Sequence, residues 1–181
     1  MKSVYTFLNA QQTAEKDFVQ LANLLEKHFA TSDDLNQMQI NNTNISWIKN
    51  CFPECLNIIK WEETVVGATL ILPSTQSLMQ NFISGQISEA ALGERLQNQA
   101  IKYTNMQAIY LCFAFVLPGH QKQGLARGLA FTSFVKSIRD ILPTNKKIDL
   151  FAWIYSTAGE KLAKQISVKL KLDLFCREAK G

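Results

Sequence analysis

The chain has 181 residues, of which 47% are hydrophobic and 19% are charged. This is the composition of a folded globular protein, because a disordered chain has fewer apolar residues. The length suits a single domain over residues 1–181 and is too short for two ordinary domains without a visible linker. The net charge of +4 is modest and the basic residues are scattered, which argues against nucleic-acid binding.

The apolar runs of the sequence are short. Those around 64–72 and 109–117 have about nine residues each, well below the roughly 20 that a membrane helix needs. The start of the chain lacks the long apolar stretch of a signal peptide. We therefore expect a cytoplasmic protein that does not bind membranes.

The cysteines do not form a metal-binding pattern. Cys51 and Cys55 flank a proline, Cys112 lies in an apolar segment, and neither His28 nor His120 stands at zinc-site spacing. We expect reduced, structural thiols and no metal.

The N-terminal part of the chain alternates between strand and helix patterns. Phe18, Leu21 and Leu25 recur at helical spacing, and the polar cluster at 31–33 is a helix start signal. The predicted elements are a strand at 3–8, helices at 12–30 and from Asp33 toward Trp47, and strands at 56–61 and 64–72 joined in a hairpin.

The segment 73–105 reads as a helical insertion with helices at 76–83 and 88–101. Insertions of this length are often lids or binding walls. The alternative is a helical pair that covers a sheet edge. Both interpretations stay open at this point.

The rest of the chain reads as strand, helix, strand, helix, strand. Segment 107–116 is apolar on both faces, as in a strand that helices cover on both sides. Phe131, Val135, Ile138 and Leu142 form the core stripe of the next helix, which Pro143 ends. A strand at 147–155, a helix opened by a capping box of Thr157 and Glu160, and a strand at 171–177 follow.

Two kinds of strand connection indicate the fold class. A strand, a helix and a strand around Gly124 require a parallel crossover, whereas the hairpin at 56–72 is antiparallel. We therefore expect an α/β fold with a central mixed sheet flanked by helices, and the helical insertion between the third and fourth strands.

The segment 116–128 has the features of a phosphate site. An apolar strand ends in a turn at Pro118, and a helix begins at Gly124, where a missing side chain permits close approach of a ligand. The first N–H groups of a helix have no partner within it and carry partial positive charge. Lys122 and Arg127 add positive charge. The alternative is an ordinary helix start.

The spacing of Gln121, Gly124 and Ala126, with Pro118 before them, resembles the Q/R-x-x-G-x-G/A signature of the GNAT superfamily of N-acetyltransferases. The resemblance implies acetyl-CoA as co-substrate, with no metal. It also implies that backbone groups of Ala114, Phe115 and Val116 bind the pantetheine arm, and that Gln121, Lys122, Gln123, Gly124, Leu125, Ala126 and Arg127 bind the pyrophosphate. For Arg127 the alternative is a solvated helix side chain.

The usual catalytic side chains of this family are missing. Where many members have a glutamate on the fourth strand and a tyrosine on the last helix, this sequence has Cys112 and Ala163. Tyr155 is a candidate acid for the leaving thiolate. The alternative for Tyr155 is a half-buried aromatic residue in phase with Phe151 and Trp153. Cys112 is expected to be a buried, unreactive thiol.

Three functions follow from these features. The leading hypothesis is an N-acetyltransferase that acts on a primary amine of a small molecule or peptide. The second is a module that binds acyl-CoA without catalysis, and the third is an interaction module that uses the insertion at 73–105. The sequence leaves open whether the protein forms a homodimer. No motif identifies the amine.

Overall fold

Strands and helices alternate along the computed structural model, which describes residues 5–29, 34–39, 41–99, 101–121, 124–143 and 146–178, apart from the side chains of 121, 124–130 and 178. The strands are β1 (Tyr5–Asn9), β2 (Leu56–Trp61), β3 (Thr64–Ser74), β4 (Ala108–Val116), β5 (Asp149–Ile154) and β6 (Asp173–Glu178). The helices are α1 (Glu15–Phe29), α2 (Asn42–Cys51), α3 (Gln76–Ile83), α4 (Glu89–Asn98), α5 (Pro118–Gln121), α6 (Gly124–Ile141) and α7 (Thr157–Leu170), and a short 3₁₀ turn spans Pro53–Cys55.

The six strands form a mixed sheet in which spatial order follows chain order. Strands β1, β2 and β3 are antiparallel neighbours, and β4, β5 and β6 are parallel neighbours. The N–H of Gln107 donates to the carbonyl of Ser74 at 2.9 Å, and the N–H of Leu117 donates to that of Val66 at 2.8 Å. These two bonds show that β4 is antiparallel to β3. The predicted α/β fold with a mixed sheet and flanking helices is confirmed.

Contacts within the chain divide it into two compact units. The first unit comprises Met1–Leu35, Gln39–Leu70 and Phe113–Ile138, and the second comprises Asn36–Met38, Ile71–Cys112 and Arg139–Gly181. The single domain expected from the length stays a prediction.

The core of the first unit lies between its helices and β1 to β3. The apolar stripe of α1 is buried, and Val135 and Ile138 of the stripe predicted for α6 are buried too, whereas Phe131 is partly exposed. Leu142, the last residue of that predicted stripe, is partly exposed and lies just beyond the end of α6. Lys60 on β2 and Asp17 on α1 form a buried ion pair, with Nζ 3.1 Å from Oδ1. Any arrangement of α1 and β2 that separated the two side chains would leave a buried charge without a partner. The ion pair therefore favours the observed packing of α1 on β2.

The core of the second unit includes the insertion. Its helices bury Leu78, Met79, Phe82, Leu92 and Leu96. The Phe82 ring lies 5.2 Å from that of Tyr110 and 6.0 Å from that of Phe151, measured between centroids. The insertion therefore supplies part of the hydrophobic core, which supports the interpretation that it covers the sheet.

Arg177 on β6 holds the turn between α3 and α4. Its guanidinium lies 4.9 Å from the ring centroids of both Phe82 and Trp153. Its Nη1 donates to the carbonyl oxygens of Phe82 at 3.1 Å and Ile87 at 2.8 Å. Cation–π contacts and hydrogen bonds together fix this turn on the sheet.

Two helix starts differ from the prediction. Helix α2 begins at Asn42 and not near Asp33, because the Asn41 side chain accepts the N–H of Asn44 at 3.0 Å and caps the helix there. The predicted start signal at 31–33 lies outside the described residues. Helix α7 is capped by Ser156, whose Oγ accepts the N–H of Gly159 at 3.1 Å, so the capping box assigned to Thr157 was wrong by one position.

Candidate functional site

The first unit contains the predicted strand, turn and helix. Strand β4 ends at Val116, and the N–H of His120 donates to the carbonyl of Leu117 at 2.9 Å within the turn that includes α5. Helix α6 then begins at Gly124 and continues for 18 residues. Residues 122 and 123 lie outside the described part of the chain, so the start of this helix at the motif glycine stays a prediction. A helix of this length has its full dipole, so partial positive charge collects at this end.

The side chains of the motif lie outside the described part of the chain. Lys122 and Gln123 are not described at all, and for Gln121 and for Gly124, Leu125, Ala126 and Arg127 only the helical backbone is described. The assignment of these residues to the pyrophosphate therefore stays a prediction.

The backbone of β4 near its end has a defined direction. The N–H of Leu117 donates to β3, and backbone groups of alternate residues share one edge of a strand, so those of Phe115 also face β3. A Cβ atom at Gly67 of β3 would lie 2.8 Å from the carbonyl oxygen of Phe115, which shows how close the strands come. The backbone groups of Ala114 and Val116 consequently point to the opposite edge of β4.

The ring of Phe115 packs against the end of α1. Its centroid lies 6.1 Å from that of His28, 6.3 Å from that of Phe29 and 6.2 Å from that of Phe113. This aromatic group connects the C-terminal turn of α1 with the end of β4.

Tyr155 directly follows β5 in the second unit. Its side chain is exposed (47%), and its ring lies 4.6 Å from that of Trp153 at an interplanar angle of 44°. Tyr155 is in phase with Trp153 and about half of its side chain is exposed, which agrees with the alternative of a half-buried aromatic residue. Its role as an acid stays a prediction.

A buried carboxylate that sequence reasoning missed lies beside Cys112 in the second unit. Glu89, at the start of α4, is 6% exposed. Its Oε2 accepts the N–H of Met38 at 3.0 Å, and its Oε1 accepts the Tyr110 hydroxyl and the Cys112 thiol, the latter with Sγ at 3.7 Å. Three donors satisfy a carboxylate that would otherwise be costly to bury.

The environment of Cys112 makes it a poor nucleophile. Burial, and then the negative charge of Glu89, raise the pKa of the Cys112 thiol and of the Tyr110 hydroxyl well above their ordinary values. A thiol must lose its proton to attack. Cys112 is partly and not fully buried, and its thiol is hydrogen-bonded. Its expected lack of reactivity stays a prediction. Ala163 of α7, which stands where the sequence comparison expected a tyrosine, is fully buried.

The described residues contain no group of three histidine, cysteine or acidic side chains that could hold a metal ion. The four cysteines are free thiols. Over the same part of the chain, no helix is long and apolar enough to cross a membrane.

No family model and no curated protein matches the chain. Solved structures do resemble it. The loading GNATL domain of CurA from Lyngbya majuscula is 16% identical with a TM-score of 0.46, and the similarity covers 81% of this chain and 64% of that one.

Two further neighbours are named acetyltransferases. A ribosomal-protein-alanine N-acetyltransferase from Brucella melitensis biovar Abortus 2308 is 13% identical with a TM-score of 0.47, over 92% of this chain and 91% of that one. Diaminobutyrate acetyltransferase EctA from Paenibacillus lautus, in complex with L-2,4-diaminobutyric acid and coenzyme A, is 14% identical with a TM-score of 0.41, over 93% and 74%. The chain spans less than two thirds of the CurA domain, and we base no argument about substrate on these similarities.

Proposed function

We propose that this protein is a GNAT-type N-acetyltransferase that transfers the acetyl group of acetyl-CoA to a primary amine of a small molecule or peptide. The observation that carries the proposal is the order of β4, the turn at Pro118 and helix α6, whose described part extends from Gly124 of the Gln121-x-x-Gly124-x-Ala126 pattern. A glycine at this point leaves the backbone open to a phosphate, and the helix end attracts its negative charge.

The coenzyme would bind along the end of β4 and the start of α6. The N–H groups of the first turn of α6, with Lys122 and Arg127, would bind the pyrophosphate. Ala114 and Val116 have backbone groups on the edge of β4 opposite to β3, and these would pair with the amides of the pantetheine arm. The ring of Phe115 packs against the end of α1 and so helps to hold this end of β4 in place.

The reaction would be a direct displacement. The amine nitrogen attacks the thioester carbon, a C–N bond forms, and an oxyanion develops that a backbone N–H of β4 would stabilise. The C–S bond then breaks, the amine loses a proton to water, and the CoA thiolate takes a proton, for which Tyr155 is the proposed donor. Positioning of the two reactants supplies much of the rate.

A module that binds acyl-CoA without catalysis is the second candidate. The usual glutamate and tyrosine are replaced by Cys112, whose thiol pKa is raised by burial, and by the buried Ala163, and their absence favours this candidate. The interaction module is less well supported, since the apolar residues of α3 and α4 are buried within the second unit.

The deciding experiment has two steps. Calorimetry with CoA tests the binding site, and the release of free CoA from acetyl-CoA with a panel of primary amines tests turnover. Binding with amine-dependent release supports the acetyltransferase, and binding without release for any amine supports the non-catalytic module. If the folded protein does not bind CoA at millimolar concentration, both proposals are wrong.

A further inference from the structure

His120 of the turn before α6 is docked on an aromatic pair at the edge of the sheet. Tyr5 on β1 and Trp61 on β2 are directly paired in the antiparallel register, with ring centroids 4.8 Å apart. The His120 ring lies 5.5 Å from the Trp61 ring and 5.9 Å from the Tyr5 ring, nearly perpendicular to the latter. All three side chains are partly buried.

A hydrogen bond adds direction to this packing. The Tyr5 hydroxyl oxygen and Nδ1 of His120 are 3.1 Å apart. Ring contact restricts the distance of His120 from the strands, and the hydrogen bond also restricts its rotation. Phenylalanine would supply only the ring and asparagine only the polar atom, so histidine is suited to both contacts.

The turn is therefore attached to the sheet at two points before the motif begins. The N–H of Leu117 binds β3, and the side chain of His120 binds β1 and β2. The next residue is Gln121, the first of the motif. A loop that is ordered in advance loses less conformational entropy when a ligand binds, and so binds more tightly.

We propose that His120 is a positioning residue that, by docking on Tyr5 and Trp61, holds the turn at 117–121 from which the coenzyme loop, residues 121–127, continues. This inference rests on the proposed function, since it gives the pair a role in coenzyme affinity. The proposal gives His120 no part in the chemical step. Its loss should weaken coenzyme binding and leave the chemical step unchanged.

The test compares Tyr5→Phe, His120→Phe and the double variant, all of which keep an aromatic ring at both positions. We expect each single change to raise the Kd for CoA about three- to tenfold, the range of one hydrogen bond. The double variant should lose no more than the larger single loss, because both changes remove the same bond. The KM for acetyl-CoA should rise in parallel while kcat stays within about twofold.

Two further variants separate positioning from general destabilisation. His120→Asn keeps a polar group near the position of Nδ1 and should recover part of the affinity. Tyr103→Phe removes a tyrosine hydroxyl in the second unit and should leave the Kd unchanged. If a His120 variant does not fold, the Kd of Tyr5→Phe for CoA tests the proposal by itself.

The outcomes are distinguishable from failure of the proposed function. If the unaltered protein does not bind CoA, the proposed function is wrong. If it binds CoA but the folded variants bind equally well, or their losses add fully, or only kcat falls, the role of His120 is wrong.

Discussion

Cys112 on β4 donates its thiol hydrogen to Oε1 of Glu89, which lies 23 positions earlier in the chain on α4. Helix α4 of the insertion thus places a carboxylate beside Cys112 of β4. Because Glu89 also accepts bonds from Met38 and Tyr110, it joins three segments of the second unit.

The raised pKa of Cys112 predicts alkaline destabilisation. The ordinary value is 9.0, and the folded value is higher, so the stability from this thiol is fully present below about pH 9 and is lost as the pH rises toward the folded value. Between pH 7 and 10 the free energy of unfolding of the unaltered protein should fall more than that of Cys112→Ala. Urea denaturation at both pH values measures the difference, and equal losses would contradict the shift.

Gly67 should not tolerate a side chain. A Cβ atom there would meet the carbonyl oxygen of Phe115 at 2.8 Å, and backbone atoms can yield only if the strands separate. Gly67→Ala should lower the free energy of unfolding by about 1–3 kcal/mol. Gly119→Ala is the matched control, because nothing lies within 4 Å of a Cβ at Gly119. Equal effects in urea denaturation would refute the close approach.

Gly124→Glu tests the coenzyme loop. A carboxylate at the start of α6 would lie where the phosphates are proposed to bind, so the Kd for CoA should rise about a hundredfold or more. Gly124→Ala adds no charge and should bind more tightly than Gly124→Glu. Calorimetry measures both, and retained binding in the glutamate variant would reject the loop as the phosphate site.

Tyr155→Phe tests the proposed acid. The change removes only the hydroxyl of an exposed side chain, so CoA affinity should stay the same. If Tyr155 protonates the leaving thiolate, kcat should fall by roughly tenfold to ten-thousandfold. An unchanged kcat would make water the proton source. Tyr103→Phe serves again as the hydroxyl control.

Phe82→Ala tests the insertion as part of the core. Phe82 is fully buried among aromatic rings, so its truncation should cost about 3–5 kcal/mol. Phe175→Ala is the comparison, since that ring is 39% exposed and should cost less. A small effect of Phe82→Ala on urea denaturation would indicate that the insertion is separable from the second unit.

Much of the fold follows from local patterns in the sequence. Helix α3 and strand β2 have the predicted bounds, 76–83 and 56–61, because periodicity and turn residues act between near neighbours in the chain. Helix caps are harder, since Ser156 and Thr157 both suit the position and only the backbone conformation selects between them.

The sequence by itself therefore determined the elements, the mixed sheet and the motif at the start of α6. Only the tertiary structure decided which side chains meet: Tyr5 with His120, 115 positions apart, and Glu89 with Cys112. Such contacts depend on strand register and on the docking of the inserted helices. At its own position Glu89 reads as an ordinary acidic residue of a helix's first turn, and no local pattern indicates that it is buried.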